Sequence, residues 1–386
     1  MFKRFSYPCR QDFIMRRKFK SKTVNTMLHI AAISMVVCTL QQLYPSSNNS
    51  NTDGSNNLAT ATSSSSENIL SIMAVGDSIG YNIDSKKLSN LSQIIKTPDI
   101  FIFNLEGVLI DSMDKESECK GFPAYQSIFV SNSSFVRHLK LAPITIANLA
   151  NNHIYDCGSE GIKETKKILD EQGILSVGAG QNLQDACEPL FISAKDKVIV
   201  FVSYNFMIRD LVSADKNRSG AADMDACSHD YNKLKQRNAD VIIASIHLGY
   251  WSANVTQRQV TEIQSLFDSG VDIVIGHSPH IPQAIMVTEA ENLAFFSLGN
   301  FILRPDYPMP PLAYTTIVPR LDLMENNTVN VTLYPVRIDK YGIPYLEQNN
   351  KNDNNNIISR IAKDSDNFNT SIKIHDNLGL LSVNSK

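Results

Sequence analysis

The sequence predicts an α/β fold, a layered sandwich with mixed sheets and a C-terminal β-hairpin, and three observations carry that prediction. Short apolar runs bounded by polar residues or glycine recur along the chain, as buried strands do. Amphipathic runs of helical period lie between them, and strand–helix–strand alternation implies crossovers and a parallel component in the sheet. Late in the chain, the runs Tyr314 to Leu323 and Val329 to Ile338 flank the turn-like MENNT and read as an antiparallel hairpin.

The chain has 386 residues and 43% hydrophobic composition, enough for one large domain plus tails. Residues 1–23 hold eight Lys or Arg against Asp12 alone, a net of +7, which leaves −10 for the rest of a chain whose total is −3. An acidic folded region lacks the basic footprint that nucleic acid demands, so no nucleic-acid partner is expected. Residues 24–44 (VNTMLHIAAISMVVCTLQQLY) are about as long as the roughly 20 residues that cross a bilayer. The basic flank before them predicts a single-pass signal anchor, with the following domain extracytoplasmic or lumenal. The alternatives are a cleaved signal peptide, which would leave the domain secreted, and an organellar transit peptide. Residues 45–66 are Ser, Asn and Thr with little to bury, and read as a flexible spacer.

The core domain is expected over residues 67–345. Its helical runs include SEGIKETKKILDEQG, with Ile162 and Leu169 on one face, a cap at Ser159 and a stop at Gly173. A second, TQRQVTEIQSLFDSG, repeats the pattern with Val260, Ile263 and Phe267 and closes at Gly270. Cys119, Cys157, Cys187 and Cys227 allow three disulfide pairings or four free thiols, and spacing does not choose. Asn-X-Ser/Thr triplets such as those at Asn132, Asn254 and Asn330 fit a glycosylated domain in a host that glycosylates. Residues 346–386, with NNKNDNNN, read as an unstructured Asn-rich tail.

Five apolar runs each end at a residue able to bind a divalent metal. ILSIMAV leads to Asp77, DIFIF to Asn104 and Glu106, and PITIANLA to Asn151, Asn152 and His153. VIIASI ends at His247, and VDIVI leads to His277 and His280. Singly, each has a bland reading as a helix cap, a turn or a hydrogen-bonded core residue. Together they mark the carboxyl ends of strands, where α/β sheets collect ligands. A set of Asp, Glu, Asn and His without cysteine suits Mn, Fe or Zn.

The motifs Gly76-Asp77, NLEG at Asn104 to Gly107, ANNHIYDCGSEG at Ala150 to Gly161, VGAG at Val177 to Gly180, GHSPHIPQ at Gly276 to Gln283 and SLGNFI at Ser297 to Ile302 occur in this order. In that arrangement the chain resembles the CapA-type capsule-synthesis, or poly-γ-glutamate biosynthesis, family, whose domain is related to the calcineurin-like metallophosphoesterases. The resemblance implies a sandwich of metallophosphoesterase type with two divalent ions. It implies that Asp77 and His280 hold one ion, that Asn152, His247 and His277 hold the other, and that Glu106 bridges them. His153 is then the catalytic histidine, protonating a leaving group or stabilising charge. The run from Asn152 to Gly158 also resembles the NHxxDxG element of secreted nucleotidases. Asn104, Asn151, Asn300 and Trp251 are expected to contact substrate. The chain departs from the family where H-W-G-x-E is common, having Trp251 in place of the carboxylate, and where GHHPH is common, having Ser278. It also lacks the D-x-H opening of metallophosphoesterases, reading Asp77-Ser78-Ile79.

The expected function is that of a membrane-anchored CapA-like protein with a hydrolase or transferase site. Its expected partners are an anionic polymer or a phosphorylated small molecule, and the subunits of a membrane synthase. The alternatives are a non-catalytic polymer-binding or scaffolding subunit and a secreted metal-dependent nucleotidase or phosphodiesterase.

Overall fold

The computed structural model describes residues 70–384 apart from 81–82, 95, 112–118, 120–126, 228–230, 237, 306–308, 327 and 348–355. The tail, anchor and spacer expected over 1–66 lie outside the described residues. Among the described residues no helix is long and apolar enough to cross a membrane.

Two sheets lie face to face, and each carries a helix on its outer side. The first sheet has ten strands: eight run Lys373–His375, Leu378–Asn384, Thr328–Ile338, Thr315–Leu323, Leu70–Ser78, Ile100–Leu105, Ile144–Asn148 and Leu175–Val177, with Asn300–Ile302 paired to Leu70–Ser78 and Pro344–Leu346 to Thr328–Ile338 off that path. The last four of the eight are mutually parallel, and the expected C-terminal hairpin supplies the sheet's antiparallel side. The second sheet runs Ile285–Val287, Leu293–Phe295, Ile273–His277, Val241–His247, Lys197–Asn205 and Leu190–Ala194, parallel in its four central strands. Side chains alternate across a strand. Ile72, Ala74 and Ile102 therefore face inward to meet Ile199, Ile243 and Ile275 of the second sheet. The opposite set, Met73, Val75 and Phe103, packs against Ile162, Ile168 and Leu169 of the helix Gly158–Glu171. On the far side, Val202, Ala244 and Val274 receive Ile263, Leu266 and Phe267 of the helix Gln257–Ser269. Each fully buried Ile, Leu or Phe contributes roughly 1.5–3 kcal/mol. The strands are thus anchored by their apolar bodies, and their last residues are left available for polar work.

Helix Gln257–Ser269 starts at a Thr256–Gln259 capping box and stops at Gly270, whose φ of 109° suits a residue without a Cβ. Helix Gly158–Glu171 differs from expectation at its start. Cys157 occupies the cap position without a side-chain bond, and Ser159 Oγ instead donates to Gln181 Oε1. The disulfides Cys119–Cys157 and Cys187–Cys227 close separations of 38 and 40 residues. One of them fastens the start of that helix.

The reading of 346–386 as a structureless tail is corrected. Asn356 caps a helix at Ile357–Ser365 whose Ile357, Ile358 and Ile361 enter the inter-sheet core, and Leu378–Asn384 pairs with Thr328–Ile338. Asparagine-rich composition masked a short apolar stripe of helical spacing. Two of the Asn-X-Ser/Thr asparagines also have internal roles: Asn132 caps the helix Ser133–Val136, and Asn330 Oδ1 accepts from Ser382 Oγ.

Candidate metal centre

The strand register gathers the candidate ligands. In the first sheet Asp77 sits opposite Asn104 and Asn300, and Asn104 opposite Asn148; in the second, His247 sits opposite His277. All but Asn300, which opens its short strand Asn300–Ile302, stand at the carboxyl ends of parallel strands, where the two sheets present their termini to one cavity of about 200 Å³. Gly76 is required for this convergence. A Cβ there would lie 1.8 Å from the carbonyl oxygen of Gly299, which accepts from the amide of Asp77.

Asp77, Glu106 and His280 form a buried cluster able to hold a cation. His280 Nδ1 lies 3.2 Å from Asp77 Oδ2 and 3.7 Å from Glu106 Oε2. His277 Nδ1 lies 3.4 Å from Asp77 Oδ1, and His247 Nε2 lies 3.8 Å from Glu106 Oε1. Most of these separations are long for hydrogen bonds. They match the roughly 3.0–3.4 Å or slightly more between ligand atoms that surround one cation at about 2.1 Å. Glu106 Oε2, His247 Nδ1 and both ring nitrogens of His277 are buried without a hydrogen-bond partner. A buried polar atom without a partner is costly. A divalent ion can satisfy Glu106 Oε2 and one ring nitrogen of His277, and His247 turns Nε2 toward Glu106, so the donor set fits the group. These distances group His277 with Asp77 and His280, unlike the arrangement implied by resemblance, which placed it with His247. Asn152 lines the cavity beside Glu106 and His247.

Electrostatics prepares the cluster for a cation. Burial opposes ionisation of Asp77, yet the His277 and His280 rings beside it hold its carboxyl well below the usual range. Burial pushes Glu106 up to about 7, against the pull of the positive His280 ring. It also drives His247 down to about 3, leaving a neutral imidazole, the form that ligates. His280 is raised to about 9, because the Glu106 charge and the Asp77 contact outweigh burial. Asn300 Nδ2 donates to the carbonyls of His280 and Ala313, so its Oδ1 is the acceptor facing His280 Nδ1 at 2.9 Å. His280 must therefore surrender that proton before the nitrogen can bind metal. Ser278 and His280 adopt positive φ, 96° and 58°, a conformation that costs non-glycine residues on the order of 1–3 kcal/mol.

His153 lines the cavity, with Nδ1 2.9 Å from Asp156 Oδ2 and its ring stacked on Phe129 at 4.0 Å. Asp156 Oδ2 also accepts from the Phe129 amide at 2.7 Å, so one carboxylate fixes both rings. With Nδ1 engaged, any proton His153 exchanges with a ligand travels through Nε2.

Three residues expected to contact substrate lie beneath the ligands instead. Asn104 Nδ2 donates to Asp77 Oδ1 at 2.7 Å, while its Oδ1 accepts from Asn148 and Asn151. Asn148 in turn accepts from Ser203. Asn151 also bonds the Leu105 carbonyl and the His153 amide, and Asn300 steers His280. All three are fully buried, and none lines the cavity. Their hydrogen bonds orient Asp77, His153 and His280 instead. Trp251 does line it, beside Tyr250, Ser278, Met207 and Met309, and the two methionines carried no motif signal. Asp156 was legible in NHxxDxG, three residues past His153, though its partnership was not.

A family model described as "Bacterial capsule synthesis protein PGA_cap" matches residues 44–305, more than half of the chain. The chain is 27% identical over 284 residues to the capsule biosynthesis protein CapA of Bacillus anthracis, covering 72% of this chain and 66% of that one. It is 31% identical over 176 residues to the PGA biosynthesis protein CapA of Bacillus subtilis (strain 168), covering 45% and 46%. The chain thus spans less than two thirds of each relative. Among solved structures, a putative 5′-nucleotidase from Staphylococcus aureus aligns over 72% of this chain and 53% of its own, at 13% identity and a TM-score of 0.40. With the family model matched over both the Asp77 and the His277–His280 segments, the chain belongs to the bacterial capsule synthesis PGA_cap family.

Proposed function

We propose that this chain acts in biosynthesis of a capsule or poly-γ-glutamate type polymer, as a membrane-anchored protein whose buried cluster binds divalent metal and catalyses hydrolysis or transfer at a phosphorylated or otherwise anionic substrate. The observation that carries the reading is the pair of buried groups with unpartnered polar atoms, Glu106 and His277, gathered with Asp77, His247 and His280 at the ends of four strands. Asp77, His277 and His280 would hold one ion, His247 and Asn152 a second, and Glu106 stands between the two groups. Bound there, divalent metal supplies Lewis acidity and a clamp on the oxygens of a displacement.

The chain's own residues supply the rest. Asn104 bonds Asp77 and Asn300 bonds the His280 carbonyl, so the backbone that carries the site is preorganised before substrate arrives. His153, oriented by Asp156, delivers a proton to the leaving group or stabilises its charge. Phe129 and the surrounding wall limit water at that histidine. The anchor is residues 24–44, with the metal site extracytoplasmic.

Purified full-length protein, supplemented with Mn, Fe or Zn, should retain divalent metal on desalting and hydrolyse an activated phosphate ester. Protein that takes up no metal and turns over no ester would replace this reading with that of a non-catalytic, polymer-binding or scaffolding subunit of a synthase. For topology, protease added to intact vesicles should spare the region after Tyr44. Digestion of that region without detergent would place the site on the other side.

A further inference from the structure

The cavity is two-natured. Its floor is polar and ligand-bearing, with Glu106, His247 and His280, while its mouth carries Tyr250, Trp251, Met207 and Met309. Tyr250 and Trp251 stand 70% and 47% exposed, and among the described residues few large hydrophobic side chains are so open to solvent. A loop needs no such surface for its own stability, because apolar area left in water contributes nothing to folding. The loop is nonetheless held in place. Ser278 Oγ donates to the Gly249 carbonyl at 2.7 Å, and Gln283 Nε2 donates to the Ser252 and Asn254 carbonyls at 2.9 and 3.0 Å. Trp251 meets the His280 ring edge-to-face at 5.9 Å, which fixes the indole plane directly beside the candidate ligands.

We infer that the anion bound at the floor carries a flat ring, and that Trp251, assisted by Tyr250, is the specificity-determining surface that takes it. The ligand class is a phosphate ester whose alcohol portion holds an aromatic or heteroaromatic ring close to the phosphorus. A rigid aromatic at a cavity lip stacks on such a ring with little loss of side-chain freedom, and the geometry next to a metal site lets one molecule use both surfaces. This inference rests on the reading of the floor as a metal-dependent anion site.

Trp251 is the chain's single tryptophan, so its emission reports on this wall alone. The test titrates metal-loaded, full-length protein with phenylphosphonate, cyclohexylphosphonate and methylphosphonate, none of which can be hydrolysed as an ester, by fluorescence and by calorimetry. Phenylphosphonate should perturb Trp251 emission saturably and bind about ten-fold tighter than methylphosphonate, about 1.4 kcal/mol. Cyclohexylphosphonate should fall well short of it. In Trp251→Leu, calorimetry should show the phenyl-to-methyl ratio collapsing toward one, and Tyr250→Ala should lower it partway. A ratio within two-fold in the unaltered protein, equal binding of the cyclohexyl compound, or a ratio that survives Trp251→Leu would each overturn the inference while leaving the metal-site reading intact. If metal binds but no phosphonate does, the anion-site reading fails and the inference falls with it.

Discussion

Replacing Glu106 by Gln should stabilise the metal-free protein and, in the same molecule, remove its response to metal. In the folded state this carboxyl titrates near 7 instead of 4.5, chiefly because it is buried. The folded form therefore holds the proton more tightly than the unfolded form. Its cost to folding is absent below pH 4.5, grows as pH rises through 4.5 to 7, and is complete above 7, on the order of 3 kcal/mol. Glutamine keeps the shape and never ionises, so it escapes that cost. Part of the gain is lost because His280, raised to about 9 with help from Glu106, loses an anion. The net stabilisation at pH 8 should be about 1–3 kcal/mol, or roughly 2–6 °C in melting temperature, and should shrink toward zero near pH 4.5. Divalent metal at 100 times its Kd should stabilise the unaltered protein by about 2.7 kcal/mol. The Gln variant should show little of this, because its neutral amide cannot offset the repulsion between cations. The assay is thermal melting of chelator-treated and metal-supplemented samples at pH 5 and pH 8. A Gln variant that is less stable than the parent without metal at pH 8, or equally stabilised by metal, would refute the reasoning.

Further outcomes follow from the same geometry. His153→Ala and Asp156→Asn should lower turnover of an activated phosphate ester by about 10²–10⁴-fold and more modestly, respectively, with metal content retained; loss of metal in either would move His153 into the ligand set. Metal affinity should rise between pH 6 and 9, because binding must displace protons from Glu106 near 7 and His280 near 9; a flat profile by calorimetry would contradict that proton inventory. Non-reduced peptide mapping should recover Cys119–Cys157 and Cys187–Cys227, and removing either bridge should cost roughly 2–5 kcal/mol; crossed pairs or four free thiols would contradict the connectivity.

Much of this fold was legible because its strands are buried on both faces, so VIIASI or DIFIF declares itself without reference to partners. The ends of those runs were legible for the same reason: a His or Glu abruptly following an apolar run stands out. Which side of the ligand row each polar residue takes was not legible. Asn104, Asn151 and Asn300 sit at strand ends like Asp77 and His277, yet strand register turns their amides toward the ligands and away from solvent. Asn148 and Ser203 extend that buried chain from within strands that read as plain core. The cavity wall was least visible. Phe129, Met207 and Met309 come from loops with no motif, and only the chain's path brings them together. At the C-terminus, asparagine content outweighed the stripe Ile357, Ile358 and Ile361, whose burial depends on a groove between the sheets that sequence does not display.

Asp77, Glu106, His247, His277 and His280, carried at the ends of four strands, are proposed to build one metal centre. Its most direct test is diffraction from crystals grown with manganese or zinc, with anomalous data collected on both sides of the metal's absorption edge. Anomalous density is expected between Asp77, Glu106, His247, His277 and His280, at about 2.0–2.3 Å from carboxylate oxygens and imidazole nitrogens. Crystals of metal-supplemented protein with no peak among those side chains, or with the metal bound at other residues, would contradict it.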